Sequence, residues 1–127
     1  MRAYQIETIG EVFSAACEQF ELLVGKLQGQ ESARMEHGQI EALINEDGME
    51  LLRLLLQAHL DLRASREAKE QEVLGADGQI RTYGRKDCER SLMSLFGEVR
   101  VRRIRYSAPG LESLSPLDAE LNLPKDT

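Results

Sequence analysis

SLMSLFGEVRVRRIRY, residues 91–106, is the stretch that decides the fold. Its period is two, the signature of strands. Gly97-Glu98 interrupts it, and a two-residue loop with Gly first is a type II′ hairpin signal. That turn predicts Phe96 opposite Val99 and Ser94 opposite Val101 on one face. Leu95 and Met93 then meet Arg100 and Arg102 on the other. The alternation slips at Arg102-Arg103, where a bulge or a two-sided role is expected. Upstream, Gly75-Ala76-Asp77-Gly78 is a turn cluster that marks a change of architecture. Ile80–Tyr83 is a candidate third strand. Downstream of Pro109-Gly110 the chain reads as loop, with one helical turn near Leu117–Leu121.

Before the turn cluster the period is helical. Ile6, Ile9, Phe13, Ala16, Phe20, Leu23 and Leu27 alternate steps of three and four, an a/d seam of about three heptads. So narrow a seam calls for another helix as its partner. Gly25, Gly29 and the polar run Gln28–Ser32 end this helix. A second helix is expected from Glu31 or Ser32, carrying Ile40, Leu43, Ile44, Leu51, Leu54, Leu55, Ala58 and Leu62 on one face. Residues 51–62, LLRLLLQAHLDL, are apolar around more than half the circumference, more than one hairpin can bury. Gly38 and Gly48 lie inside the pattern and make a kink or a close approach plausible.

The predicted fold is therefore α+β, mainly α. A long antiparallel helical hairpin, coiled-coil-like and oligomerising, precedes a small antiparallel β-hairpin. Three regions follow: helices over 1–74, a basic β-hairpin over 75–110 and a loop tail over 111–127. The interface between copies would use Ile6, Ile9, Phe13, Phe20, Leu23, Leu27, Leu51, Leu55 and Leu62.

At 127 residues the length fits one domain. The 42% apolar content suffices for a modest core, while no Trp and 5% aromatics argue against a sugar cleft or a base-stacking platform. No apolar run approaches the roughly 20 residues of a membrane span. The opening residues, MRAYQIETIGEVF, lack the continuous apolar stretch of a secretory signal, and two cysteines make no disulfide framework. A reduced, cytoplasmic protein is expected.

Cys17, Cys88, His37 and His59 show no metal-ligand spacing, so no metal is expected. GADG lacks the lysine of a phosphate loop and the glycine pattern of a dinucleotide site, so no cofactor is expected either. A Cys–His nucleophile pair has no positive support.

The net charge of −6 is unevenly spread. Residues 1–78 hold 7 Lys/Arg against 15 Asp/Glu, a balance of −8, whereas residues 79–106 hold 8 against 3, a balance of +5. Arg81, Arg85, Lys86, Arg90, Arg100, Arg102, Arg103 and Arg105 lie in that basic segment. Arginine suits forked contacts to phosphate, and a two-stranded ribbon can enter the major groove. These eight residues are the candidate DNA-binding set. The competing reading pairs them with acidic helices of the same or a second chain.

GMELLRLLLQAHLDLRA (48–64), GADG (75–78), LFGEVRVRRIRYSAPG (95–110) and SLSPLDAELNLP (113–124) together resemble the amino-terminal region of ISKra-type insertion-sequence transposases. The resemblance spans roughly Gly48 to Pro124, and LFGEVRVRR and SPLDAELNLP are its distinctive parts. In that family a catalytic domain follows, using metal-bound acids to cut and join DNA. Those acids lie beyond the LNLP stretch. The resemblance therefore implies a partial, bacterial transposase-like chain, and Asp77, Asp87 and Asp118 are not assigned catalytic roles.

Two functions are expected from this. One is a non-catalytic DNA-binding and dimerisation module, an accessory or regulatory subunit in transposition. The other is a protein–protein interaction subunit of a larger complex, with a structural basic hairpin; other subunits of a nucleic-acid complex are further candidate partners. An enzyme is not expected.

Overall fold

A computed structural model of the chain describes residues 3–125, and side chains from residue 11 onward within that range. Helix α1 is Ala3–Gln28, a 3-10 turn covers Ser32–Arg34, and α2 is His37–Ser65. Strands β1 (Val73–Leu74), β2 (Ile80–Arg81), β3 (Tyr83–Ser94) and β4 (Gly97–Ser107) follow, then the short α3 (Pro116–Glu120). The architecture is mixed α+β, with two antiparallel two-stranded sheets, β1–β2 and β3–β4. Two compact units form: Met1–His59 with Leu92–Val99, and Leu60–Ser91 with Arg100–Thr127.

In the first unit α1 carries the three-four apolar pattern, although its helical backbone is interrupted at Phe13 (φ −104°, ψ 19°). It stops at Gln28, where the Gly29 N–H donates to the Lys26 carbonyl. Lys26 in the last turn suits the negative end of the helix dipole. The second helix starts later than the sequence suggested. Met35 turns extended (ψ 146°) after the 3-10 turn. The Gln39 side chain then accepts the Glu36 N–H at 2.9 Å, which is half of a capping box. Gly38 and Gly48 sit within α2 beside open space, so neither marks a close approach. From α1, Ala16 and Leu23 are buried; from this part of α2, Ala58 is. The Gln19 amide donates to the Asp47 carbonyl (3.0 Å), and Lys26 pairs with the Asp47 carboxylate (2.7 Å).

The hairpin turn lies two residues earlier than expected. Leu95-Phe96 form the loop, and Gly97 opens β4 at φ +118°. Phe96 is thus a loop residue and does not face Val99 as a strand partner. Such a turn followed by a left-handed glycine is the longer hairpin solution, and it also demands Gly. The Ser94 hydroxyl closes the loop, donating to the Gly97 carbonyl (2.7 Å) and accepting the Phe96 N–H (3.1 Å). A Cβ at Gly97 would also crowd Arg53 at 3.3 Å. Arg53 is held in place by a fork to Glu50 (2.7 and 2.8 Å).

In the second unit, Ile80–Arg81 pairs with Val73–Leu74 rather than adding a third strand to the hairpin. Arg81 explains this preference. Its guanidinium forks onto Asp77 (2.7 and 2.8 Å) and reaches the Glu112 carbonyl (3.0 and 2.9 Å). A Cβ at Gly75 would collide with that guanidinium. The apolar core comprises Leu60, Val101, Ile104, Tyr106 and Leu117. Tyr106 exchanges backbone hydrogen bonds with Leu114 (2.7 and 2.9 Å), and its hydroxyl accepts the Glu70 N–H at 2.8 Å. The stretch after Pro109-Gly110 therefore contributes to the core through Leu117.

Candidate nucleic-acid interface

The strand pattern sorts the eight basic residues into two groups. On β4, Val99, Val101 and Arg103 are buried, while Arg100 and Arg102 are exposed. The order then reverses: Ile104 and Tyr106 are buried and Arg105 is exposed. Two consecutive buried residues, Arg103-Ile104, are the mark of a bulge, one residue beyond the slip expected at Arg102-Arg103. On β3, Asp87 holds φ +57°, uncommon for a residue other than glycine.

Side chains replace the ladder where the bulge breaks it. The Arg103 guanidinium donates to the Cys88 carbonyl at 2.8 Å. The Ile104 N–H donates to the Glu67 carboxylate at 2.9 Å. Beside these groups lies a recess of about 310 Å³ lined by Asp61, Ser65, Glu67, Lys86, Arg102 and Ile104, among others.

Three of the candidates point inward. Arg81 is bound as described above. Arg90 and Arg103, both buried, converge on one carboxylate, Asp118 of α3. Arg103 Nε lies 3.0 Å from Asp118 Oδ1, and Arg90 Nη1 lies 3.3 Å from Oδ2. In a low-dielectric setting a guanidinium needs such a counter-charge, and each of these three arginines has one, Asp77 for Arg81 and Asp118 for Arg90 and Arg103.

Five candidates remain at the surface: Arg85, Lys86, Arg100, Arg102 and Arg105. Glu89 bridges Arg100 (3.3 Å) and Arg102 (3.2 Å). Those two hydrogen bonds hold the Glu89 carboxyl below its ordinary value, the one from Arg102 first. Exposed pairs of this kind are weak and open readily. Against Asp87, Glu89 and Glu98 the exposed side chains of the ribbon keep an excess of two positive charges, from five cations and three carboxylates.

Two carboxylates have displaced titrations. The hydrogen bonds from Arg81, and then from the Gln79 N–H, lower Asp77 to about 2. Its contribution to stability is present above the unfolded value near 3.9 and is lost as pH falls through about 2. Asp77→Asn should therefore flatten the acid limb of the stability curve between about pH 4 and about pH 2, measured by urea melts across that range. Burial pushes Glu67 upward, opposed by the Ile104 N–H and reinforced by Glu120 and Asp118. A raised carboxyl favours the fold most below its unfolded pKa, and that contribution is lost as pH rises through the folded one. Glu67→Gln keeps an acceptor for Ile104 without the buried charge. It should match or exceed the parent in stability at about pH 7. Glu67→Ala strands the amide and should cost about 1–3 kcal/mol; urea midpoints at neutral pH check both.

The seam residues are placed as follows. Leu23 is buried; Phe13, Leu51 and Leu62 are half-buried; Phe20, Leu27 and Leu55 are exposed at 55%, 38% and 40%. Ile6 and Ile9 lie outside the described side chains. A groove of about 640 Å³ runs between Phe13, Ala16, Cys17, Phe20 and Glu21 on α1 and Leu51 and Leu55 on α2.

Sequence reasoning missed Asp118, Glu67 and Glu89 as partners of this site. Each is a carboxylate among many, and only the fold brings it to an arginine or to the bulge amide. Among the described residues, no three of His, Cys, Asp and Glu converge as a metal set, and no helix is long and apolar enough to cross a membrane. Comparison with protein-family models, with curated proteins and with solved structures gave no match.

Proposed function

We propose that this chain is a non-catalytic DNA-binding and dimerisation module whose DNA contact is the outward face of the β3–β4 ribbon. The observation that carries this reading is the five exposed cations of the β3–β4 ribbon that remain once buried Arg81, Arg90 and Arg103 are set aside. Arg100 and Arg102, two residues apart on one face, are spaced about 6.7 Å along the strand. Their forked donors suit phosphate oxygens. A two-stranded ribbon fits the roughly 12 Å major groove.

The helical half is read as an antiparallel hairpin. Supporting this, Asp47 near the start of α2 meets Gln19 and Lys26 towards the end of α1. The earlier Phe13 and Phe20 share a groove with the later Leu51 and Leu55. The resemblance to the amino-terminal region of ISKra-type transposases fits an accessory or regulatory role in transposition. It adds the expectation that DNA is the acidic partner.

Fluorescence anisotropy with a labelled duplex tests the proposal. Binding should be detectable at about 50 mM salt and should weaken steeply towards about 200 mM. Absence of duplex binding at low salt overturns it. The inward turn of Arg81, Arg90 and Arg103 favours a second reading, a protein-interaction subunit whose basic hairpin is structural. On that reading, replacing outward arginines leaves nucleic-acid affinity at zero and changes only complex formation.

A further inference from the structure

We propose that the groove between α1 and α2 is closed by the same groove of a second copy, giving a four-helix interface about a two-fold axis. The proposal deepens the dimerisation half of the function above. It rests on the helical-hairpin reading and not on DNA binding.

The seam on α1 is only half used within the chain. One set of positions, Ala16 and Leu23, seven residues apart, is buried at 2% and 8% exposure. The alternate set, Phe20 and Leu27, also seven apart, stays exposed, with Phe13 half-buried one heptad earlier. In a four-helix arrangement a helix turns one set of seam positions to each of two neighbours. Among the described residues α2 supplies one neighbour, and the second is not supplied. On α2, Ile44 and Leu55 are eleven residues apart, three turns on one stripe, and both are exposed.

Exposed apolar surface points to a partner. On the two helices Phe20, Leu22, Leu27, Ile44, Met49, Leu52 and Leu55 are all exposed large apolar side chains, more than scattered single residues on a monomer's surface. Shape points to a second copy in particular. The projecting Phe20 ring stands at the edge of a groove of about 640 Å³, so one face offers both ridge and hollow. A two-fold axis sets each ridge into the other copy's hollow, as isologous interfaces require.

The groove's margin carries Glu21, and Glu18 lies exposed beside it. Pairing two copies brings these carboxylates together. Salt should therefore hold or tighten the dimer, the opposite of its effect on DNA binding.

Sedimentation equilibrium of the whole chain tests this, with Phe20→Glu, Leu55→Glu and, as a control, Leu95→Glu at the exposed hairpin loop. The parent chain and the control should be dimers. Either groove variant should raise the dimer Kd by about 100-fold, because each buries an unpaired carboxylate. Circular dichroism checks that the variants keep their helices. Reaction of Cys17 with a thiol reagent gives a readout without mutation: it should slow as protein concentration passes the dimer Kd. A parent chain that is monomeric, or larger than a dimer, overturns the proposal. So does a dimer indifferent to both groove variants with Cys17 equally reactive throughout. A monomer would assign the groove to a different protein. Duplex titration of the same samples separates the two readings. A dimer without DNA binding sinks only the DNA contact, and a DNA-binding monomer sinks only this interface.

Discussion

Asp118→Ala should cost about 3–5 kcal/mol, the range for removing one partner of a buried charge pair. A single carboxylate serves two buried guanidinium groups, Arg90 and Arg103, with oxygens 3.3 and 3.0 Å away. Its loss leaves two positive charges facing each other where the low dielectric strengthens their repulsion. Small domains hold only about 5–15 kcal/mol in total, so this substitution should take a large share of it. Glu89→Ala makes the contrast. It also removes a carboxylate shared by two arginines, but an exposed one, so it should leave the urea midpoint nearly unchanged. Urea unfolding of both variants at neutral pH is the check. Equal midpoints would mean that Asp118 does not anchor the hairpin. Replacing Asp118, Arg90 and Arg103 together with apolar residues of similar size should recover much of the loss, because buried ion networks often exchange neutrally with good packing.

Replacing Arg100, Arg102 and Arg105 together with Ala should reverse that profile, leaving stability nearly unchanged while removing most duplex affinity. Each phosphate contact contributes about 0.9 to the slope of log affinity against log salt. If all three arginines lie on phosphates, the slope should become shallower by nearly three units. Arg103→Ala should instead lower the melting temperature first, since that side chain is 3% exposed and spans Asp118 and the Cys88 carbonyl. Anisotropy titrations at several salt concentrations, beside melting curves on the same proteins, distinguish the groups. A triple variant with unchanged affinity and slope would remove the ribbon from consideration as the DNA contact.

The helices and the hairpin were legible because burial writes its period into the sequence. Phe13 to Leu27 gives one period and Val99 to Tyr106 the other. The turn glycine was legible too, but its position in the turn was not. Gly97 satisfies either a two-residue loop that it opens or a longer loop that it closes, and Ser94 decides through its two hydrogen bonds. The start of α2 was misplaced because its cap is Glu36 with Gln39, rather than the short polar residue that usually announces a helix. The division among the arginines was hidden. Inward and outward residues are chemically identical, and the carboxylate that receives Arg103 lies 15 residues away, beyond a turn. Nothing local distinguishes Asp118 from Glu112 or Glu120. Composition reported the charge of the segment but not the side of the sheet on which each charge stands.

The bulge at Arg103-Ile104 also bears on how this chain tolerates change in length. Before it, odd-numbered residues of β4 face the core; after it, even-numbered ones do. The strand is in effect two half-strands of opposite parity spliced at one point. Insertion or deletion of a residue between Val99 and Tyr106 would put one half out of phase, exposing two large side chains and drawing an arginine inward. Side chains fasten the splice itself, Arg103 on the Cys88 carbonyl and Glu67 on the Ile104 amide. Substitutions that preserve length can alter the charge of the outer face one residue at a time. Changes in length cannot be absorbed there, and they should be confined to the loops at 76–78 and 108–113.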